Sequence, residues 1–291
     1  MAKKKELEML DGKYVIEAVS AKTLETAVTK LEASLGVEIP APYVVRIKKG
    51  STEVKKSAFF GCKFISDVIF PEGITTIKEY AFASCPLLEH IVIPEGVENI
   101  EERAFAQCEA LKSVTIPSTL TAMSGDYAFS ECSSLESVEI REGAKAIGGY
   151  AFDSCKSLKS ITLPNSIIEI DRSAFKECTA LESITLPNTI TEICYSTFKM
   201  CTALKSIVIP ESVKSIGEYA FYECNKLVEV INYSALNIEA GASSNGYVAY
   251  YAINVDNKES KIYIIDDYLF YIHNGKNYLI SYIGTDTDLV L

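Results

Sequence analysis

The feature that most constrains this chain is a period. Phenylalanine recurs at Phe59, Phe82, Phe105, Phe129, Phe152, Phe175, Phe198 and Phe221, with gaps of 23, 23, 24, 23, 23, 23 and 23 residues. A cysteine follows three residues behind each of them, at Cys62, Cys85, Cys108, Cys132, Cys155, Cys178, Cys201 and Cys224. Prolines keep the same phase at Pro71, Pro94, Pro117, Pro164, Pro187 and Pro210, with Lys48 and Arg141 in the two remaining slots. Such self-similarity signifies a solenoid, because no unit this short can bury its own apolar face and each must stack on its neighbours.

Each unit divides into two periodicities. In "LKSIVIP", residues 204 to 210, Leu204, Ile207 and Ile209 alternate inward as in a short strand, and Pro210 has no N–H with which to continue a ladder. Val213 and Ile216 then point inward. In "YAFYECNKL", Ala220, Phe221, Cys224 and Leu227 stand at i, i+1, i+4 and i+7, which predicts a short helical return. Strands stack about 4.8 Å apart, so eight units make roughly 38 Å of continuous core with one phenylalanine per rung. The single long gap falls around "MSGDYAF" at 123 to 129, where Gly125 is expected to absorb an extra residue in a turn.

This pattern, Leu-x-x-Ile-x-Leu-Pro, then Ile, then Ala-Phe-x-x-Cys, repeated from about residue 42 to 232, resembles the BspA-type leucine-rich repeats of bacterial surface proteins and some protist proteins. The chain departs from the commoner leucine-rich consensus, because the slot for asparagine holds Gly73, Gly96, Thr119, Gly143, Ser166, Thr189 and Ser212. The expected fold is an α/β solenoid: a right-handed coil with a parallel sheet on its concave side, short helical turns on its convex side and a cap at each end. The resemblance implies a binding or adhesive surface, often secreted or at the cell surface, and brings no catalytic residues.

Composition and motifs exclude other classes. A net charge of -11 and a pI near 4.9 argue against nucleic acid, which needs a concentrated basic surface. The basic run Lys3 to Lys5 reads as a solvated tail. No window approaches the roughly 18 apolar residues of a membrane span. Glu6, Glu8 and Asp11 stand where a signal peptide needs an apolar stretch, so the chain reads as soluble and unsignalled. Eight sulfurs along a stack diverge in a line and contain no CxxC, which disfavours a metal site. Parallel rungs hold neighbouring Cβ atoms too far apart for disulfides. The thiols are therefore expected reduced and buried as small hydrophobes, with Cys194, outside the ladder, the most exposed. His90 and His273 stand at opposite ends of the expected stack, and neither reads as catalytic. "GASSNG" at 241 to 246 is no phosphate loop, and neither "GTDTD" at 284 to 288 nor "NVDNKES" at 254 to 260 matches a calcium loop. No catalytic residue, metal or cofactor is expected. Asn232-Tyr233-Ser234 forms a glycosylation sequon, meaningful only in a eukaryotic secretory pathway.

The outward strand positions form the candidate site: His90, Val92, Ser113, Thr115, Ser137, Glu139, Ser160, Thr162, Ser183, Thr185, Ser206 and Val208, flanked by Asp67 and Ile69 before and Glu229 and Ile231 after. This face is expected to accept a protein or a glycan. Alternatively its Thr and Val residues serve only the sheet. One position earlier, Glu89, Lys112, Glu136, Lys159, Glu182 and Lys205 alternate in sign, as if to fix stacking order.

The ends read as caps. Residues 1–41 hold an Asp11-Gly12 hairpin and a helix between Ser20 and Gly36, residues 42–232 the solenoid, and residues 233–291 a tyrosine-rich segment with an Asn274-Gly275 hairpin and a final "DLVL" like the opening of a further rung. That segment reads as a cap or, alternatively, as a ligand platform. The functional expectation is a non-enzymatic, adhesin-like binding scaffold. The alternative is a structural subunit that docks through its caps or C-terminal edge.

Overall fold

The computed structural model describes residues 8–257 apart from 122 and 124, and the backbone of three later strands, Ile262–Ile265, Tyr268–His273 and Lys276–Tyr282. The Lys3 to Lys5 run, the Asn274-Gly275 turn, the 284–288 stretch and the terminal "DLVL" lie outside the described residues.

Alternating apolar residues produce the expected strand in each coil. Successive ones run Ser113–Ile116, Ser137–Ile140, Ser160–Thr162, Ser183–Thr185, Ser206–Ile209 and Glu229–Asn232. Pairing is parallel and keeps the repeat in phase: Ser113 opposes Ser137, Ser160 opposes Ser183, and Ser206 opposes Glu229. A second strand of two residues, such as Thr76–Ile77 paired with Asn99–Ile100, follows the proline turn in most coils. Two residues are too few to show an alternation, so the sequence reading placed Ile216 inward without assigning it a strand.

The phenylalanines form one column. All eight are fully buried, and neighbouring rings stack with centroids 5.2, 5.3, 5.1, 5.6, 5.7, 5.6 and 5.2 Å apart from Phe59 to Phe221. They belong to a single core that runs from Ile16 to Ala249.

The return segment is not helical, which corrects the α/β description; the coil is a parallel β-solenoid whose returns are turns. Ala81 and Ala83 N–H donate three residues back, to Lys78 O at 3.1 Å and Tyr80 O at 3.2 Å. Phe82 and Ser84 N–H instead donate to Ala104 O and Ala106 O of the next coil, both at 2.8 Å. A helix would spend all these donors within itself. Here alternate donors cross to the neighbouring coil, and the chain achieves this by taking positive φ twice per coil, at Tyr80 (55°) and Ser84 (57°), Tyr150 (54°) and Ser154 (60°), Tyr219 (57°) and Glu223 (61°). Two turns in series put the same residues inward as one helical turn does. Among the described residues the α-helix is Ala21–Leu35.

Gly125 also differs from expectation. It is not among the residues with positive φ, and a Cβ there would lie 1.9 Å from Glu102 N, so this glycine permits close approach of two coils. At the N-terminal end Met9 and Tyr14 pair antiparallel about Asp11 (φ 49°) and Gly12 (φ 75°). The helix starts at Ser20, whose hydroxyl accepts from Thr23 N–H at 3.3 Å, and ends at Gly36 (φ 67°), burying Leu24 and Val28. Lys13–Ala18 pairs parallel with Tyr43–Ile47, placing these elements on the first coil. At the other end Glu229–Asn232 pairs with Asn254–Asp256. Tyr268–His273 and Lys276–Tyr282 pair antiparallel with His273 opposite Lys276.

Candidate binding surface

Strand pairing joins the candidate residues in three sets, His90 to Glu139, Ser160 to Thr185 and Ser206 with Val208, and coil stacking sets these side by side. Buried Val114, Val138, Ile161, Ile184 and Ile207 point into the core, and the residues flanking each one stand outward, fully or partly exposed. The face has two chemically distinct halves. Toward the N-terminus its polar groups are already engaged. His90 Nδ1 lies 2.8 Å from Ser113 Oγ, Thr115 Oγ1 donates to Glu139 Oε2 at 3.3 Å, and Arg141 reaches Glu139 at 3.6 Å and Glu95 at 2.9 Å. Val92, 60% exposed, interrupts this network. Asp67 is held by Lys13 at 3.0 Å.

From Ser160 onward the face carries no charge as far as Val208. Among the described residues the hydroxyls of Ser160, Thr162, Ser183, Thr185 and Ser206 have no protein hydrogen-bond partner. Ser137 is likewise unengaged. Ile231, expected outward, is 9% exposed and closes the face at its C-terminal end.

The alternating charges line two backbone ladders, Glu89-Lys112-Glu136 and Lys159-Glu182-Lys205, with Lys112 N–H on Glu89 O at 2.7 Å and Glu182 N–H on Lys159 O at 2.8 Å. Two of their side-chain pairs close, Lys112 with Glu89 at 3.4 Å and Lys205 with Glu182 at 2.5 Å. Lys205 hydrogen bonding lowers the Glu182 carboxyl below the usual range.

The stacking brings Ser113 beside His90, a contact invisible in the sequence. His90 Nε2 lies 4.0 Å from Glu89 Oε2. The backbone of both residues belongs to the parallel ladder. A cleft of about 470 Å³ opens beside Gly125, lined by Glu79, Glu101, Glu102, Asp126 and Tyr127. Its carboxylates are all paired: Glu79 with Lys56 (2.6 Å), Glu101 with Lys78 (2.8 Å), Glu102 with Arg103 (2.5 Å) and Asp126 with Arg172 (2.7 Å).

The thiols do more than fill space. All nine cysteines are free, and those of the ladder are buried. From Cys85 to Cys224 each ladder Sγ donates to the phenylalanine carbonyl of the preceding coil, at 3.1, 3.2, 3.2, 3.3, 3.1, 3.2 and 3.0 Å. Burial pushes the Cys132 and Cys224 thiols up to about 12. Cys194 is half-buried, its thiol raised to about 11 chiefly by burial. The sequon residue Asn232 is buried, and its Nδ2 donates to Leu236 O at 2.8 Å and Asn257 Oδ1 at 2.7 Å, so that amide is not available for glycosylation in the folded chain.

The turn side carries features the sequence reading did not extract. Tyr127 stacks on Tyr150 at 4.4 Å, and the Arg103 guanidinium lies 4.4 Å over Tyr127. The signal was present, since tyrosine stands two residues before the column phenylalanine at Tyr80, Tyr127, Tyr150 and Tyr219.

The BspA type leucine rich repeat region matches the chain in six copies, over residues 44–140 and 122–248. Among solved structures, a leucine-rich repeat protein from Bacteroides ovatus is 24% identical, with a TM-score of 0.57 over 87% of this chain and 67% of that one. A leucine rich repeat protein from T. pallidum is also 24% identical, covering 76% of this chain and 87% of the other with a TM-score of 0.49. A leucine rich cell surface protein from Faecalibacterium prausnitzii is 20% identical over 88% of this chain and 86% of that one, at a TM-score of 0.39. The first likeness bears on the fold alone. No curated protein matches the chain.

Proposed function

We propose that this chain, which belongs to the BspA-type leucine-rich repeat family, is a non-enzymatic binding scaffold that holds a protein or glycan partner on its strand face, as a surface adhesin does. The observation that carries this reading is the uncharged run from Ser160 to Val208, whose hydroxyls have no protein partner among the described residues. A rigid solenoid with unspent donors and acceptors loses little entropy when it binds. The paired carboxylates of the cleft beside Gly125 favour a scaffold over an enzyme.

A place outside the cell is compatible with the thiols. Extracellular proteins usually convert cysteines to disulfides, but buried protonated thiols are poor nucleophiles and resist oxidants. No helix among the described residues is long and apolar enough to cross a membrane. Repeats of this family occur on bacterial surfaces.

The test replaces Thr115, Thr162 and Thr185 together by arginine and compares capture on purified extracellular-matrix proteins and a glycan array. Loss of every wild-type interaction with unchanged thermal unfolding supports the reading, and full retention refutes it. A second reading, docking into a larger assembly through the N-terminal end, is favoured by the exposed Met9, Leu10 and Val37 there. It expects the same triple variant to assemble normally.

A further inference from the structure

Six tyrosines meet on the turn side of the last coils, away from the strand face. Tyr195 and Tyr219 have ring centroids 5.9 Å apart at 85°, and Tyr219 lies parallel to Tyr247 at 5.8 Å and 13°. Tyr222 stands across both, at 5.6 and 5.2 Å, while Tyr247, Tyr250 and Tyr251 continue the series at 5.6 and 4.9 Å. The return segments of successive coils supply these rings, so coil stacking sets their spacing. Positive φ at Tyr219 (57°) and Tyr247 (66°) fixes two of them on ordered turns.

Aromatic rings normally gain by burial, yet Tyr195, Tyr250 and Tyr251 are 47%, 46% and 38% exposed. Among the described residues no protein group takes the hydroxyls of Tyr195, Tyr219, Tyr247, Tyr250 or Tyr251, while Tyr222 faces Glu223. Lys199 Nζ lies 5.9 and 5.5 Å over the Tyr219 and Tyr222 rings, with no carboxylate in ion-pair reach among those residues.

These features select among occupants. An apolar peptide would bury five phenol hydroxyls without partners, a cost that opposes binding. A sugar places its C–H face on a ring and offers its own hydroxyls to the phenols. The Lys199 ammonium over Tyr222 and the Glu223 carboxylate beside that tyrosine bring one charge of each sign, so the patch favours no strongly charged ligand. Tyr219 and Tyr247 turn their faces to each other, so the ring surface left for sugars is that of the exposed Tyr195, Tyr250 and Tyr251, and an extended β-linked hexopyranose chain is the shape that reaches from one to the others. We propose that the surface of Tyr195, Tyr219, Tyr222, Tyr247, Tyr250 and Tyr251 is a carbohydrate site that takes a neutral β-linked hexopyranose chain.

Affinity electrophoresis of the full chain in gels containing neutral mixed-linkage β-glucan, or acidic hyaluronan, tests this. The expected result is retardation by β-glucan and not by hyaluronan, with affinity reduced about tenfold for Tyr195→Ala and more for the Tyr250→Ala/Tyr251→Ala pair. Tyr250→Phe/Tyr251→Phe keeps the rings and should lose part of the affinity, which separates hydroxyl loss from misfolding. Absence of retardation by β-glucan, retardation by hyaluronan alone, or full affinity in the alanine variants overturns the proposal. The arginine triple variant of the strand face should bind β-glucan normally. If that variant loses it while the tyrosines remain, the sugar sits on the strand face and this proposal falls while the strand-face reading stands.

Discussion

Phe152→Ala interrupts the column at its middle. The ring is fully buried between Phe129 at 5.6 Å and Phe175 at 5.7 Å. Truncating a buried phenylalanine costs about 3 to 5 kcal/mol, of which each stacked pair accounts for roughly 0.5 to 1.5. Phe59 has a single column neighbour, Phe82 at 5.2 Å, so Phe59→Ala should cost about 1 kcal/mol less. In a solenoid, stability is a sum of coil and interface contributions, and Phe152→Ala weakens two interfaces at once. With a urea slope of about 3 kcal/mol/M, a loss of about 4 kcal/mol lowers the midpoint by roughly 1.3 M, and the transition should broaden as the two halves uncouple. The assay is urea unfolding followed by circular dichroism, with Phe60→Ala as control because that ring is 55% exposed. A Phe152→Ala loss below about 1 kcal/mol, or one equal to the control's, would refute the stacked column as the source of stability.

The Cys132 and Cys224 thiols make stability fall in alkali. Their raised folded pKa means that the stabilisation is fully present below the unfolded value of about 8.5 and is lost as pH rises toward about 12, the folded value for Cys132. By pH 10 each such thiol should cost about 2 kcal/mol, so Cys132→Ala should flatten the decline in urea midpoint between pH 8 and pH 10; equal slopes would contradict this. Ellman's reagent should find the eight ladder thiols inert in the native chain, with Cys194 the one that reacts, and all nine reactive in guanidinium; several fast native thiols would show an open ladder. Lys205→Glu should lower the urea midpoint slightly at low salt, an effect that vanishes at high salt and that adding Glu182→Lys reverses in a double-mutant cycle.

What could be read in advance was whatever repeats because packing forces it to. Phe59 to Phe221 share one slot, and only a stacked column makes that slot the same eight times over. The strand register followed from alternation about Ile207, and the N-terminal helix from its own end signals, Ser20 and Gly36. The return segment was misread because inward spacing at Ala220, Phe221, Cys224 and Leu227 fits a helix and a pair of turns equally well. The difference lies in where the N–H groups go, and apart from Gly61 the left-handed slots hold Tyr, Ser, Glu, Gln, Arg or Met, none of which announces positive φ as glycine does. The S–H bonds were hidden because their acceptors are backbone carbonyls of another coil, and Ile231 because its burial depends on the end of the stack.

A repeated chain carries its own internal comparison, and this bears on the strand face. The partly or fully exposed slot after each ladder cysteine varies through Lys63, Pro86, Glu109, Ser133, Lys156, Thr179, Thr202 and Asn225, so the coils differ where no core fixes the side chain. The first outward strand slot holds serine five times running, at Ser113, Ser137, Ser160, Ser183 and Ser206. Packing does not require this, because the side chains stand outside the core, and sheet preference would choose Thr or Val. Hydrogen bonding within the chain does not require it either, since among the described residues only Ser113 has a side-chain partner there, His90. A slot that keeps serine in five of eight coils without a core to fill is what the proposed recognition on the strand face would ask for. That makes the run from Ser137 to Ser206 the segment where arginine scanning should first separate a recognition surface from a merely stable sheet.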